Sequence, residues 1–445
     1  MDRAAPFGRE RAKPRRLLII AYYYPPLGMG GVKTVIPYVR YLADYGWRPE
    51  VLTVRSIAYY AYDDELALEL RPYAPVTRCG SLDPARLLRL LKGPDYRVPL
   101  AEGALRHGGL LSRLQHALLT PDPKVLSAPF FYEAGRRTGR GGRYDALLVI
   151  APPFSHLAMA RRLAHSLHVP WAAHLGDRWV DGWVSDSTSL LARPAAARGE
   201  RRAVESARAL LCASPLEAEA LRAKYPAAAR KILTASLSFD PALHDLEERP
   251  DPGRFTVALV GTHIGERALG GDAGMPAVLN ALKRMAGEEH QRRVVLRHVG
   301  SNRGPSVGSL ADGIGCVELV EEAGQVDYRR SLVEMHRADV LLLTLAGGNP
   351  LCLPGRISDY IGSGRPILVV SDNEAAGRVI EDYGLGAVCR PTEEERIYEL
   401  LRAARDGSGS LAQEPDPAGR DHFAAPRRAE QLAEVLTRWY PNDHV

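Results

Sequence analysis

Two residues three positions apart, Arg356 and Asp359, open a helix-like stretch in "LCLPGRISDYIGSGRPILVV" (351–370). A helix N-terminus carries partial positive charge, and a guanidinium there adds a full one, so the pair of features suits a phosphate. A carboxylate one turn later can accept hydrogen bonds from both vicinal hydroxyls of a ribose. Phosphate followed by ribose is what a nucleotide diphosphate presents. The alternative for the two residues alone is an ion pair at a helix end, worth a few tenths of a kcal/mol.

Three further places could carry chemistry. In "YYYPPLGMGGVKT" a strand and prolines lead to Gly28, Gly30 and Gly31 and then to a helix, a geometry that lets backbone N–H groups approach an anion. The spacing is not GxGxxG, so no dinucleotide signature is claimed, and a tight turn is the other explanation. In "VALVGTHIGERALGGDAG" Gly261 ends a strand and Arg267 follows in the loop, where it would grip a diphosphate bidentately or stand as a solvated cation. In "AAHLGDRWVDGW" (172–183), His174, Asp177, Arg178 and two tryptophans follow a strand, at the sheet edge where ligands bind. His174 is alternatively a hydrogen-bonded histidine of the sheet. His156 in "APPFSH" (151–156) has the same edge position and would face an acceptor, with N-capping by Ser155 as the structural alternative. No GxSxG, HExxH or paired-carboxylate spacing competes.

The elements that must position these residues alternate. Short apolar runs at 16–22, 49–54, 145–150, 170–175, 207–214 and 231–236 read as strands separated by amphipathic helices. The first of these helices runs from about Val32 to Tyr45 and ends at Gly46, a C-cap. The polar, proline-rich stretch 239–255 predicts an interdomain linker, and the alternation restarts at 255–261, 292–300, 338–345, 365–370 and 386–390. The expected organisation is an N-terminal Rossmann-like domain over 1–240, a linker at 241–254, a C-terminal Rossmann-like domain over 255–425, and a helix and tail over 426–445 that dock back on a domain surface. Residues 406–421, "DGSGSLAQEPDPAGRD", predict a flexible loop.

Bulk properties exclude other classes. At 445 residues, 46% hydrophobic and 25% charged, the composition is globular and long enough for two cores. A net charge of +5 is too mild for a nucleic-acid binder. The five cysteines, Cys79, Cys212, Cys316, Cys352 and Cys389, form no CxxC pair, so neither a disulfide framework nor a zinc site is expected. No apolar run reaches the roughly 20 residues of a membrane span, and the basic N-terminus lacks the core of a signal peptide, so a cytoplasmic location is expected.

The stretches 19–54 ("IIAYYYPPLGMGGVKTVIPYVRYLADYGWRPEVLTV"), "PGRISDYIGSGRPILVV" and "EDYGLGAVC" together resemble the nucleotide-sugar-dependent glycosyltransferases of family 4, with the GT-B fold. The PG(K/R)-x-x-(D/E)-Y-x-x-x-G-(R/K)-P pattern is the most specific part, and "ERRAVESARALLCASPLEAEALRAKYP" is also similar to that family. The resemblance implies two Rossmann-like parallel-sheet domains facing across a cleft, with the donor held mainly by the C-terminal one. It implies that Arg267 and Arg356 contact the donor diphosphate, that Asp359 holds the ribose, and that the Gly28–Gly31 loop closes over the phosphates. The region of His174, Asp177 and Arg178 would lie near the reacting carbon and the acceptor. Transfer would retain anomeric configuration, and cations and backbone dipoles would stabilise the leaving group with no metal or other cofactor.

The chain departs from that pattern. Leu351 stands where the family has its first glutamate, which moves the donor-sugar contact to the backbone at Gly348 and Asn349 or removes it. The basic residue that commonly follows the Arg267 position is absent. A nucleotide-sugar epimerase of the same fold, or a non-catalytic subunit of a transferase complex, are the alternatives. The acceptor would be a glycan, a lipid-linked molecule or a small molecule. Residues 84–118 carry six Lys/Arg against two Asp/Glu with leucines at helical spacing. A core-facing helix with a solvated basic face is the expectation there, and peripheral contact with the inner membrane face the alternative.

Overall fold

A computed structural model of the chain describes residues 14–28, 31–59, 61–93, 96–98, 122, 124–183, 192–264, 274–345 and 350–440. The chain divides into two compact units, one of Met1–Leu211, Arg230–Leu233 and Ala429–Val445, the other of Cys212–Ala229 and Thr234–Arg428.

The first unit is built on seven strands: β1 (Arg15–Ala21), β2 (Trp47–Val54), β3 (Val76–Cys79), β4 (Ala146–Ala151), β5 (Trp171–Leu175), β6 (Ala209–Cys212) and β7 (Ile232–Thr234). Their order is β3-β2-β1-β4-β5-β6-β7. β1 runs parallel to β2 and to β4, as β2 does to β3 and β4 to β5. β4 is buried along its whole length, which is why "ALLVIA" is an unbroken apolar run rather than an alternating one. The helices are α1 (Val32–Tyr41), α2 (Asp64–Leu70), α3 (Pro84–Lys92), α4 (Ala128–Thr138), α5 (Ser155–Leu167) and α6 (Ala192–Ser206). After α1 a 3-10 turn, Leu42–Tyr45, stops at Gly46 with φ 82°, the left-handed cap expected from the sequence.

The second unit holds α7 (Pro215–Lys224), β8 (Arg254–Val260), β9 (His263–Ile264), α8 (Gly274–Ala286), β10 (Arg293–Val299), β11 (Asn302–Arg303), α9 (Val307–Ile314) and β12 (Val320–Glu322). It continues through α10 (Tyr328–His336), β13 (Val340–Thr344), α11 (Ile357–Ser363), β14 (Ile367–Val370), α12 (Glu374–Asp382), β15 (Gly386–Cys389), α13 (Glu394–Arg405), α14 (Pro417–Asp421) and α15 (Ala425–Thr437). Six strands form a sheet in the order β12-β10-β8-β13-β14-β15, every neighbouring pair parallel. One apolar cluster covers each of its faces, around Phe255, Met275 and Leu282 on one side and Leu341, Tyr360 and Phe423 on the other.

The last helix begins in the second unit, and from Ala429 onward the chain belongs to the first. Trp47 Nε1 donates to Thr437 Oγ1 at 3.1 Å, the Tyr440 hydroxyl donates to the Asp145 carbonyl, and the Arg15 guanidinium lies 4.4 Å from the Tyr440 ring centroid. These partners stand at the amino ends of β1, β2 and β4, so the C-terminal segment covers that edge of the first sheet.

Three stretches differ from their sequence expectation. Residues 406–421, expected as a flexible loop, contain α14, capped by Asp416, and Leu411, which is buried in the second core. A Cβ at Gly419 would stand 2.0 Å from the Tyr383 carbonyl, so the chain is pressed onto its neighbour there. The start of the polar stretch 239–255 is also built in. Phe239 exchanges backbone bonds with Phe423 and Ala425, and His244 is buried against His336 and the backbone of Gly362.

The third is α3, expected to turn its leucines to the core. None of its residues is buried, and Leu87, Leu90 and Leu91 are 43, 63 and 83% exposed. The reason lies on the other arc of the helix. Arg86 donates to the Ser56 carbonyl, and Arg89 lies over the Tyr62 ring and donates to its hydroxyl at 2.9 Å. The basic arc is the one that faces the protein.

Candidate active site

In an open parallel sheet, ligands bind at the carboxyl ends of the strands where the strand order reverses. In the second unit that point lies between β8 and β13, and it is here that "PGRISDYIGSG" is used. The pairing of β13 with β8 extends only over Val340 and Leu341, after which the strands part. The Tyr360 hydroxyl fills the gap, accepting from Val260 N at 2.8 Å and standing 3.1 Å from the carbonyls of Val260 and Leu342. Just beyond, Arg356 at the N-cap of α11 crosses the same gap, donating to the Thr262 carbonyl at 3.2 Å and the Thr344 carbonyl at 2.6 Å. A guanidinium has five N–H donors, so two bonds to backbone fix its plane and leave others to give. The cation is thus held at the carboxyl ends of the two central strands before any ligand arrives.

Glycine makes that position possible. Gly261 has φ 125°, and a Cβ on it would stand 3.0 Å from Arg356 Nη1. A Cβ on Gly300 would lie 2.1 Å from the Gly261 carbonyl, so the turns after β8 and β10 touch backbone to backbone. His298, fully buried, lies 3.2 Å from the Gly261 carbonyl through Nε2 and 3.2 Å from Glu322 Oε1 through Nδ1. Glu322 also accepts from Asn302 Nδ2 and Gly308 N. Burial pushes the Glu322 carboxyl up, but bonds from Asn302 and His298 outweigh it and hold it below the usual carboxylate range.

Asp359 lies one turn into α11 and is buried, accepting from the Tyr328 hydroxyl at 3.0 Å. Tyr328 is the first residue of α10, and nothing in the sequence around it signals that meeting. Arg267, Gly30, Gly348 and Asn349 lie outside the described residues.

In the first unit the strand order reverses between β1 and β4. Tyr22, just past β1, donates to Asp83 Oδ2 at 2.7 Å. Asp83 caps α3 through Ala85 N and Arg86 N and pairs with Lys124 Nζ at 3.4 Å. Burial raises its carboxyl, and Lys124 with the Ser81 and Tyr22 hydroxyls more than reverses that. After β4, Ser155 is the first residue of α5 and does not cap it. Its N–H and hydroxyl instead donate to Asp122, at 2.7 and 3.0 Å. Burial holds the Asp122 carboxyl above its ordinary value.

His156 follows, wholly buried, with Nε2 at 2.8 Å from Ser127 Oγ and its ring 4.4 Å from Phe131. Burial pushes it down to about 3, so it is a neutral imidazole. Enclosure sets it behind Ser127 and Phe131, away from the exposed position expected of an acceptor contact. His174 on β5 is also buried, with Nδ1 at 2.8 Å from the Tyr38 hydroxyl of α1. Asp177 and Arg178 follow β5 and are partly exposed, Arg178 standing 3.5 Å from Asp181. Trp179, one of the two tryptophans placed by the sequence at the ligand-binding sheet edge, is core instead. It stacks on Phe154 with 5.3 Å between centroids and leaves room only for a glycine at 199.

Gly28 continues the turn after β1. Its N–H donates to the Ala61 carbonyl at 3.1 Å, and a Cβ there would stand 3.1 Å from the Tyr62 backbone. Gly31 is the N-cap of α1 with an ordinary φ of −64°, and the first turn of that helix carries no acid.

No family model matches the chain, and no curated relative does. Solved structures do. HepE of Anabaena in complex with UDP is 14% identical over 95% of this chain and 100% of its own, with a TM-score of 0.57. Sucrose-phosphate synthase of Thermosynechococcus elongatus is 14% identical over 96% and 99%, with a TM-score of 0.59. A Listeria monocytogenes chain assigned as a UDP-N-acetylglucosamine 2-epimerase is 13% identical over 98% and 98%, with a TM-score of 0.51. At such identities the likeness is one of fold, and it places this chain's two parallel-sheet units in the GT-B architecture.

Proposed function

We propose that the protein is a glycosyltransferase that moves a sugar from a nucleotide diphosphate sugar to an acceptor, with retention of configuration, as in the family 4 enzymes its motifs resemble. The observation that carries this reading is Arg356, fixed by two backbone carbonyls across the reversal point of the second sheet. A cation held there in advance costs no reorganisation when charge grows on a departing phosphate. Arg356 would neutralise the diphosphate together with Arg267, and backbone N–H groups near Gly261, Gly348 and Asn349 would contribute. Asp359, oriented by Tyr328, would receive the ribose. On the first unit the turn from Gly28 through Gly30 to Gly31 would approach the phosphates. His174 and Asp177 would stand toward the reacting carbon, and Arg178 toward the acceptor. No metal ion has a role in this scheme. The bound UDP of HepE is consistent with a nucleotide donor.

Calorimetric titration with UDP-, GDP- and dTDP-sugars in EDTA tests the reading. Micromolar binding of one donor, weakened about 100-fold in Arg356→Ala and by less in Asp359→Ala, is expected. Absence of binding to every donor would overturn it and leave a non-catalytic subunit, to which Leu351 at the place of the first acid already points. The likeness to the Listeria chain favours one other enzyme class, a nucleotide-sugar epimerase. That reading predicts conversion of the donor with no acceptor present and no release of nucleoside diphosphate, which chromatography of the products distinguishes.

A further inference from the structure

His298, near the end of β10, is wholly enclosed, yet both of its ring nitrogens meet an acceptor. Nε2 lies 3.2 Å from the Gly261 carbonyl and Nδ1 lies 3.2 Å from Glu322 Oε1. A neutral imidazole has one N–H and one lone pair, so it satisfies one of these oxygens and sets its lone pair against the other. An imidazolium donates to both. Its counter-charge is built in, because Glu322 accepts from Asn302 Nδ2 at 3.0 Å and from Gly308 N at 3.2 Å. Gly308 stands in the first turn of α9, whose positive end favours an ionised carboxylate. A Cβ on Gly308 would lie 2.7 Å from Glu322 Oε2, so the carboxylate is pressed onto that turn.

What the ring holds is the peptide between Gly261 and Thr262. In a trans peptide the N–H points opposite to the C=O, so fixing the Gly261 carbonyl on His298 turns the Thr262 N–H away from the ring. That N–H has no hydrogen-bond partner among the described residues. Its neighbours are both used, Gly261 N on the Val299 carbonyl and His263 N on the Ser301 carbonyl. The Thr262 carbonyl is taken by Arg356. The turn after β8 is therefore gripped at two consecutive carbonyls, one by a guanidinium and one by an imidazole, and the amide between them is left over.

We infer that His298 is a positioning residue for the donor, an imidazolium fixed by Glu322 that aims the Thr262 N–H at a phosphate of the nucleoside diphosphate and sets a positive charge behind it. The inference rests on the transferase reading of this site and adds a second preset cation to Arg356. Nothing needs to reorganise when the phosphate arrives, since the carboxylate, the ring and the peptide are already in line.

Nitrogen NMR of the full chain labelled at histidine, with His298→Ala to assign the signal, reads the ring directly. A doubly protonated ring at neutral pH is expected, and a neutral ring would overturn the inference before any ligand is added. Titration with UDP, followed at the Thr262 amide proton in threonine-labelled protein, reads the aim. A downfield shift of that proton is expected, as for a charge-assisted hydrogen bond. His298→Ala should weaken UDP binding about tenfold and abolish the shift. Glu322→Gln keeps the enclosed ring and guards against a folding defect. Its amide donates to Nδ1, leaving a neutral ring whose Nε2–H still reaches Gly261, so the Thr262 shift should persist while affinity falls by a smaller factor. A Thr262 proton that UDP leaves unmoved in the parent would overturn the inference, as would unchanged affinity in both variants. A parent that binds no nucleotide overturns the transferase reading and this inference together, whereas a neutral ring in a parent that binds UDP overturns this inference alone.

Discussion

The two sheets present the same architectural feature, the carboxyl ends of parallel strands at a reversal of strand order, with opposite chemistry. In the second unit a guanidinium and a phenol bridge the parted ends of β8 and β13 through backbone bonds. In the first, two buried carboxylates, Asp83 and Asp122, and a neutral imidazole, His156, occupy the corresponding place after β1 and β4. A half-buried cation bonded to carbonyls keeps donors for an anion. Buried acids instead accept, from the first turns of helices and from a lysine. The contrast shows that one fold supplies the location and that the residues after each strand decide the sign of charge found there.

The contrast can be broken or sharpened experimentally. The largest effect is expected from Gly300→Ala, whose Cβ would meet the Gly261 carbonyl, at a cost of about 3 kcal/mol or more confined to the second unit. Hydrogen exchange that finds the two units loosened equally would contradict that confinement. Next comes Arg356→Ala, which should weaken donor binding about 100-fold, the loss expected of a charge-assisted contact. Arg356→Lys should recover only part, since an ammonium cannot span both carbonyls. Equal loss from Asp83→Asn in the first unit would erase the proposed division of charge.

Tyr360→Phe removes one hydroxyl and leaves Val260 N without its partner, a destabilisation of about 1–3 kcal/mol readable in urea titrations. The smallest effect near neutrality is that of pH, and it should touch both units. Burial lowers His156 to about 3, and burial with Arg365 and Arg420 lowers His336 to about 4. A histidine depressed on folding takes up its proton first in the unfolded chain. Its folded environment is therefore cost-free above the ordinary value of 6.5 and loses stability as pH falls below it. His156→Gln should flatten the acid limb for the first unit, and His336→Gln that for the second.

Much of the scaffold was legible before any coordinates. Strand runs such as "ALLVIA", the turn at Gly46 and the start of α11 follow from local apolar patterning and backbone chemistry, which act within a few residues. The cationic character of the 356 position was legible for the same reason, since a residue's charge and its place at a helix start are both local. Its bonds were not. Thr262 and Thr344 stand 94 and 12 residues away and meet Arg356 only because the sheet lays β8 beside β13. Tyr328 and Asp359 likewise come together through the packing of α10 on α11.

Sequence alone therefore determined that this chain alternates strand and helix twice over and that a cation and an acid open one of its helices. Only the tertiary structure decided what those residues hold, and which arc of α3 turns outward. Its periodicity separates leucines from arginines but cannot say which side meets the protein. That choice fell to Ser56 and Tyr62, whose oxygens and ring take Arg86 and Arg89 and leave the leucines outside.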